Sequence, residues 1–439
     1  MAMNTGVCLG ASLVLAGWMA SCSQGEAVVD GEATAFESGF RPRPEEVDEE
    51  AGGGGPLRSL AGAKLGDPIP GLTPSELAAF EAGRVLFEKR FTPEEGLGPL
   101  YNATSCSSCH STPVVGGGAQ LYRNFYISMF GNTESSMSAH FGLPSPVIPA
   151  YGPLGGGAFT LEAGRPVIPE QVFIFDVTTA QRNAIPVFGT GLFEFITNDT
   201  ILANEDPDDT DADGISGRAN YDNGDLGRFG VKAQSNNVER FTRPPLNNQM
   251  GITSDPFLGS AGTVSLSSAV QGTVDPDDPI TDNDGIPDPE ISMADLGDLI
   301  AFSRFLAPPD RKPFGFFEKR GEQVFDKIGC AKCHIPSLES SLGPVEAYTD
   351  LLLHDMGPEL ADGLQFGDLG PLGETTGSEW RTQPLWGVSM QAPFLHDGRA
   401  ETLLQAVRMH GGEAQASRDA FVALDPNRRE ALIAFLEAL

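Results

Sequence analysis

The sequence predicts a mainly α-helical chain of two similar halves, the first enlarged by a long insert of loops and short strands. Three observations carry this. The pattern Cys-x-x-Cys-His occurs twice, as Cys106-Ser-Ser-Cys109-His110 and Cys330-Ala-Lys-Cys333-His334. A helical segment precedes each, with Gly83-Arg-Val-Leu-Phe87 matched by Gly321-Glu-Gln-Val-Phe325. Another follows each, Ser292 to Leu306 in one half and Asp425 to Leu439 in the other. Of the 439 residues, 40% are hydrophobic and 20% charged, so the body is no disordered acidic polymer. A net charge of −32 argues against direct nucleic-acid binding, which needs clustered Lys and Arg. It suits a protein that attracts a basic partner, with solubility alone as the alternative reason for such a charge.

At the N-terminus, Val7 to Ala20 is an uncharged, mostly apolar run of 14 residues. That is shorter than the roughly 20 residues needed to span a bilayer and has the length of a signal-peptide core. Ala20 and Ser21 precede Cys22 as in a bacterial lipoprotein cleavage box, although Met19 stands where such a box has Leu. Residues 1–22 therefore read as a lipoprotein-like signal peptide, with simple cleavage as the alternative. Export places the protein in the periplasm or cell envelope, and a lipid at Cys22 would make it an outer-membrane lipoprotein, its one membrane attachment. Residues 23–60, with Arg41-Pro-Arg-Pro44, an acidic run and four glycines, read as a flexible linker.

Four cysteines remain for the body, all in the two motifs. Two thiols three residues apart can add to the two vinyl groups of one haem, and the adjacent His then reaches the iron. A four-cysteine zinc site places its pairs about 15–20 residues apart; here more than two hundred residues separate them. A thioredoxin-type pair gives no reason for a His after both, and disulfides remain the other alternative. The chain is thus expected to carry two covalently bound haem c groups in two cytochrome c-like domains, residues 61–310 and 311–439, with the seam near Pro308 to Pro313.

The first domain's leading helix opens at the capping box Thr73-Pro-Ser-Glu76, with Leu77, Phe80, Phe87 and Phe91 at its apolar positions. In the segment from Ser292 to Leu306, Leu296, Leu299, Ile300 and Ser303 share one face, and Pro308-Pro309 stops the helix. Asp425-Pro426 caps the last helix. Arg182-Asn-Ala-Ile-Pro186-Val-Phe-Gly189 and Arg381-Thr-Gln-Pro384-Leu-Trp-Gly387 extend the repeat. Both arginines are candidates to pair with haem propionates, the alternative being a surface Arg at a turn. Between the motifs, Asp209-Thr-Asp211-Ala-Asp213-Gly214 follows the opening of a calcium loop, but Asn220 stands where the bidentate Glu belongs. Asp209, Asp211 and Asp213 are candidate calcium ligands, with a solvated acidic turn as the alternative. Short strands, Gln171 to Thr179 among them, complete the insert.

Taken together, these residues resemble the bacterial di-haem oxidoreductase family, related to di-haem cytochrome c peroxidases and MauG-type enzymes. The resemblance rests on Gly96-Leu-Gly-Pro99, Gly189-Thr-Gly-Leu-Phe-Glu194, Asp211 to Arg218, Leu351-Leu-Leu-His-Asp-Met-Gly357, Glu379-Trp-Arg-Thr382, Phe394-Leu-His-Asp-Gly-Arg399 and His410-Gly-Gly-Glu-Ala414. It implies one electron-transfer haem and one that meets a small oxidant such as hydrogen peroxide, with electrons donated by a cytochrome or other small redox protein. The alternatives are a pure electron carrier without a substrate site, and a haem oxygenase or protein-modifying oxidase on the same scaffold. Similar peroxidases have a Met ligand after a helix reading A-V-x-x-M; here Ala406-Val-Arg-Met-His410 puts His410 there, with Met409 as competitor. The resemblance leaves the first haem's sixth position to His140, His354 or no residue, and sets His354 and His396 at haem edges or propionates. Glu194 is the candidate acid–base group for peroxide, with Arg182 as the second catalytic candidate. No Trp lies between Trp18 and Trp380, so an aromatic relay would use Trp380, Trp386, a Phe or a Tyr.

Overall fold

A computed structural model of the chain describes residues 63–130, 147–151, 160–162, 165–167, 171–172, 175–222, 224–254, 285–311, 313–364 and 375–439. The leader, Cys22, the linker and His140 lie outside them. No helix among the described residues is long and apolar enough to cross a membrane.

Helix α1 (Pro74–Glu88) begins where the capping box predicts: the Glu76 carboxylate accepts from the Thr73 backbone N–H at 2.7 Å. It ends at Glu88, and Leu77 is exposed; Phe80 and Phe87 are buried. After the short α2 (Asn198–Leu202) and α3 (Val238–Met250) comes α4 (Met293–Phe305), capped by the Ser292 side chain. All four residues expected on its buried face are buried, as are Phe302 and Phe305. Helices α1 and α4 cross at Gly83, where a Cβ would overlap the carbonyl oxygen of Asp298. Phe302 fills the crossing, 5.2 Å from Phe80 and 4.8 Å from Phe87 between ring centroids.

The second half repeats this frame. Helix α5 (Phe316–Lys327) crosses the terminal helix α8 (Pro426–Ala438) at Gly321, where a Cβ would overlap the carbonyl oxygen of Ala431. Phe325 meets Phe435 at 5.3 Å. Between them run α6 (Leu403–Met409) and α7 (Gln415–Ala423). Each buried Phe contributes about 1.5–3 kcal/mol by leaving water. The repeated glycines are therefore crossing points, and the repeated Phe residues are the packing placed against them.

The insert after the first motif holds a four-stranded antiparallel sheet, order β2-β1-β6-β5, built from β1 (Phe125–Phe130), β2 (Val147–Ile148), β5 (Gln171–Val172) and β6 (Phe175–Arg182). The strand expected at Gln171 to Thr179 is thus a hairpin. Strands β3 (Thr160–Glu162) with β4 (Arg165–Val167), and β7 (Tyr221–Asp222) with β8 (Asp225–Leu226), form separate two-stranded pairs. In the second half β9 (Leu338–Ser340) pairs with β10 (Gly343–Val345). Strand β11 (Leu353–Asp355) pairs with β12 (Glu379–Arg381), setting His354 opposite Trp380.

Candidate functional site

Both motifs fold as a single 3-10 turn, Cys106–Ser108 and Cys330–Lys332. The backbone N–H of His110 returns to Cys106 O at 3.1 Å and that of His334 to Cys330 O at 3.0 Å. The four thiols are unpaired, and burial pushes Cys106 and Cys330 up to about 12. Neutral thiols of this kind are poor redox nucleophiles, which counts against the dithiol reading. Among the described residues no set of four cysteines converges on a metal position.

Each motif histidine is locked in the same way. His110 Nδ1 lies 3.1 Å from Gly117 O, and His334 Nδ1 lies 3.0 Å from Tyr348 O. A carbonyl only accepts, so Nδ1 carries the proton and Nε2 keeps its lone pair, the arrangement of metal-binding imidazoles. Tyr348 takes φ +55 to present that carbonyl, a left-handed conformation costly for a bulky residue. Phe87 packs 6.1 Å from the His110 ring and Phe325 6.3 Å from His334.

The second motif faces a cavity of about 260 Å³, mostly apolar, into which His334 and His410 both project with Cys330 and Cys333. His410 caps α6, its Nδ1 held 2.8 Å from Ala406 O. Met409 is exposed and does not line the cavity, whereas His410 does. Burial first, with the proximity of His410 acting in the same direction, pulls His334 down to about 4. Two imidazoles, two thiols and an apolar wall are a lining that would suit a haem.

His354 also lines this cavity but is not available to iron. Its Nε2 lies 2.8 Å from Asp350 Oδ2 and its Nδ1 2.6 Å from Glu413 Oε2. Burial works against its charge, yet the hydrogen bonds from Asp350, Cys333 and Glu413 hold it well above the usual imidazole value. Glu413 opposes its own burial through His354, Ser216 and the Asp355 backbone and falls to about 2. This clamp removes His354 from the choices for the first haem's sixth ligand. Of its two carboxylates, Asp350 lies only four residues away, but Glu413 lies 59 residues from His354, beyond local sequence reasoning.

The two repeated arginines separate. Arg182 is buried and ion-paired with Asp362, and its guanidinium lies 4.9 Å from the Trp380 ring centroid. Its charge is thus already neutralised by protein, which corrects its reading as a propionate or peroxide contact. Arg381 is as deeply buried, lines the cavity, and donates only to neutral oxygens of Gly230, Thr382 and Gln383. Among the described residues it has no ion pair. Trp380 stacks on His396 at 3.8 Å and carries Lys232 Nζ 3.6 Å from its ring centroid. His396 lines the cavity, and burial brings it down to about 3, so it stays neutral.

Glu194 does not reach this cavity. Its carboxylate accepts from Arg304 Nε at 2.7 Å and from the Val238 backbone N–H at 2.7 Å, tying its 3-10 turn to α4 and to the start of α3. The apolar neighbours Leu192 and Phe193 are buried in the core, and the carboxylate is engaged as an anchor. In the acidic loop, carboxylates of Asp206, Asp209 and Asp211 converge within 4.8 Å, while Asp213 turns away to Lys332 Nζ at 2.7 Å. The predicted ligand set therefore loses Asp213 and gains Asp206.

A family model described as "Di-haem oxidoreductase, putative peroxidase" matches residues 162–439. No curated protein matches the chain. Among solved structures the chain is similar, at 15% identity, to hydrazine synthase from Kuenenia stuttgartiensis (TM-score 0.38, covering 82% of this chain and 87% of that one). At the same identity it is similar to a MauG-like protein associated with microbial copper homeostasis (TM-score 0.36, 86% and 92%). The diheme peroxidase BthA from Burkholderia thailandensis is likewise similar at 15% identity (TM-score 0.39, 88% and 94%). The family match covers more than half of the chain and takes in the second motif, its cavity and every residue of the His354 clamp: the chain belongs to the di-haem oxidoreductase family.

Proposed function

We propose that the protein is an exported di-haem c-type oxidoreductase of peroxidase type, with two cytochrome c-like domains. The observation that carries this is the unequal distribution of histidines. His334 and His410 project into one cavity, and His354 and His396 line it too. His110 is thus left, among the described residues, as the sole histidine outside that cavity. The second site is built to hold a closed, six-coordinate iron for electron transfer; the first is the one with room for a substrate. When bound, the haems supply one-electron chemistry, delivering two electrons that with two protons convert one hydrogen peroxide to two waters. The chain's own part is to attach each group through its cysteine pair, to fix each imidazole through a carbonyl, and to keep water from the second cavity with apolar side chains.

Electrons would come from a small redox protein, and the charge of −32 favours a basic one. The Asp206, Asp209 and Asp211 turn would take calcium, weakly for want of a bidentate Glu. Cys22 would carry the lipid of an envelope protein. Electronic and EPR spectra of the purified holoprotein test the central reading. One low-spin haem and one that is high-spin, or becomes so on reduction, are expected, with peroxide turnover against a reduced cytochrome. Two low-spin haems that stay so on reduction would instead support the pure electron carrier. A His410→Ala variant should convert only the second haem to high spin.

A further inference from the structure

Lys232 is 3% exposed, and among the described residues its ammonium has no ion pair. It donates instead to three carbonyl oxygens of one loop, Thr376 O at 2.9 Å, Gly377 O at 3.4 Å and Glu379 O. These bonds hold Nζ over the Trp380 ring, 3.6 Å from its centroid. The His396 ring already covers one face of that indole, 3.8 Å away and within 8° of parallel, so the ammonium lies on the other. Trp380 and His396 line the second cavity, and Lys232 stands behind them. A cation over an indole is attracted by the π electrons, and the same attraction raises the cost of removing one of them. The Arg182 guanidinium, 4.9 Å from the same centroid, acts in this sense too, weakened by its pair with Asp362. The indole N–H donates to Leu360 O at 3.0 Å. A backbone carbonyl only accepts and offers no base for that proton, so an oxidised Trp380 would keep a full positive charge beside the ammonium. Trp386, the other tryptophan at this cavity, stacks on the neutral ring of Phe193.

We propose that Lys232 is a positioning residue that keeps Trp380 reduced: its ammonium stops the electron vacancy that peroxide creates at the haems from moving onto the Trp380–His396 stack. The stack then walls the electron path without joining it. This deepens the peroxidase reading and rests on it. The step opposed is the transfer of one electron from the indole to an oxidised haem, with no bond broken and no proton moved. The oxidant is peroxide, which takes two electrons and two protons to become two waters. Burial brings Lys232 down to about 7; Asp362, Glu379 and Asp355 oppose this and Arg182 assists it. The Glu379 carboxylate is itself held by Arg218 at 2.8 Å, and Asp397 lies behind His396, 3.9 Å from its Nε2. The protection is therefore fullest below about pH 7 and weakens as Lys232 loses its proton above it.

The test is EPR of holoprotein frozen after addition of peroxide below pH 7, comparing wild type with Lys232→Met, Lys232→Arg and Lys232→Met/Trp380→Phe. Lys232→Met should show a tryptophan radical, identified by its narrowing when the protein is grown on ring-deuterated tryptophan. Wild type and Lys232→Arg, which keep the charge, should lack that radical, and the double variant should lose it. A Lys232→Met spectrum identical to wild type overturns the proposal, as do equal radicals in Lys232→Met and Lys232→Arg. Wild-type haems that do not respond to peroxide overturn the peroxidase reading, and this proposal with it. If Lys232→Met does not fold, ultraviolet resonance Raman spectra of the wild-type holoprotein decide. The indole bands that a cation over the ring perturbs should titrate near pH 7, and the titrating component should be missing from Trp380→Phe. Indole bands that do not move across that range overturn the proposal.

Discussion

In the first half, Gly83 lets α1 cross α4 and Phe87 packs against His110; in the second, Gly321 lets α5 cross α8 and Phe325 packs against His334. A backbone carbonyl fixes Nδ1 in both. Beyond this frame the halves part. The second encloses four of the five described histidines and an Arg whose charge is unmatched; the first gives its Arg to Asp362 and its Glu194 to Arg304. The frame accompanies both Cys-x-x-Cys-His motifs, and on the proposed reading the contents decide whether an iron is closed on both sides. Duplication of the motif therefore says little about duplication of chemistry.

The sharpest way to break this comparison is at the two arginines. Arg182→Gln takes the ion-pair partner from the buried Asp362, which keeps only the Leu364 backbone N–H as a hydrogen-bond donor, and should cost about 3–5 kcal/mol of unfolding free energy. Arg381→Gln strands only neutral acceptors and should cost about 1–2 kcal/mol. The double variant Arg182→Gln/Asp362→Asn should recover part of the first loss. Denaturant unfolding of the three proteins checks this; equal losses at the two arginines would erase the distinction drawn between them.

Smaller effects are expected at the crossing glycines. Gly83→Ala and Gly321→Ala each force a methyl group against a backbone carbonyl, an overpacking worth about 1–3 kcal/mol. The frame predicts equal losses that add, because the two crossings share no contacts. The spectra should nevertheless separate them, with Gly83→Ala perturbing the first haem and Gly321→Ala the second. Both haems responding to either variant would mean that the halves do not behave as repeats.

The frame was legible because its signals are local. The capping box at Thr73, the matched Gly and Phe positions and the two motifs all lie within a few turns of the chain, and the helices form where they say. His410, expected in the place of a Met ligand, lines the cavity that His334 lines, and its role as a ligand stays a proposal. What escaped depends on partners distant in sequence. Glu194 reads as a carboxylate stranded among apolar residues until Arg304, 110 positions later, supplies its counter-charge. Arg182 and Arg381 look equivalent until Asp362 pairs with one of them. Glu413 is an ordinary acidic residue until the fold brings it to His354, 59 positions earlier. Asp213 fits a calcium loop by spacing alone, yet Lys332 of the second motif takes its carboxylate.

The His354 clamp gives the second half a pH dependence that the frame alone would not. Glu413, held at about 2 against an ordinary carboxyl value of 4.5, stabilises the fold above pH 4.5 and loses that contribution as pH falls toward 2. His354, raised well above 6.5, contributes fully below pH 6.5 and loses its contribution as pH climbs through its folded value. Both contributions are complete only between about pH 4.5 and 6.5. Within that window Glu413→Gln should be less stable than wild type by about 2 kcal/mol, allowing for the partial solvent exposure of the carboxylate. The difference should shrink toward zero as pH approaches 2, where wild-type Glu413 is itself protonating. It should also shrink on the alkaline side as His354 loses its proton. Thermal melts of the two proteins across this range provide the check, and a difference independent of pH would mean that Glu413 acts by packing and not by pairing with an imidazolium. A Ser216→Ala variant, which removes one donor to Glu413 and leaves the His354 pair in place, should show only the acid side of that profile, at smaller amplitude.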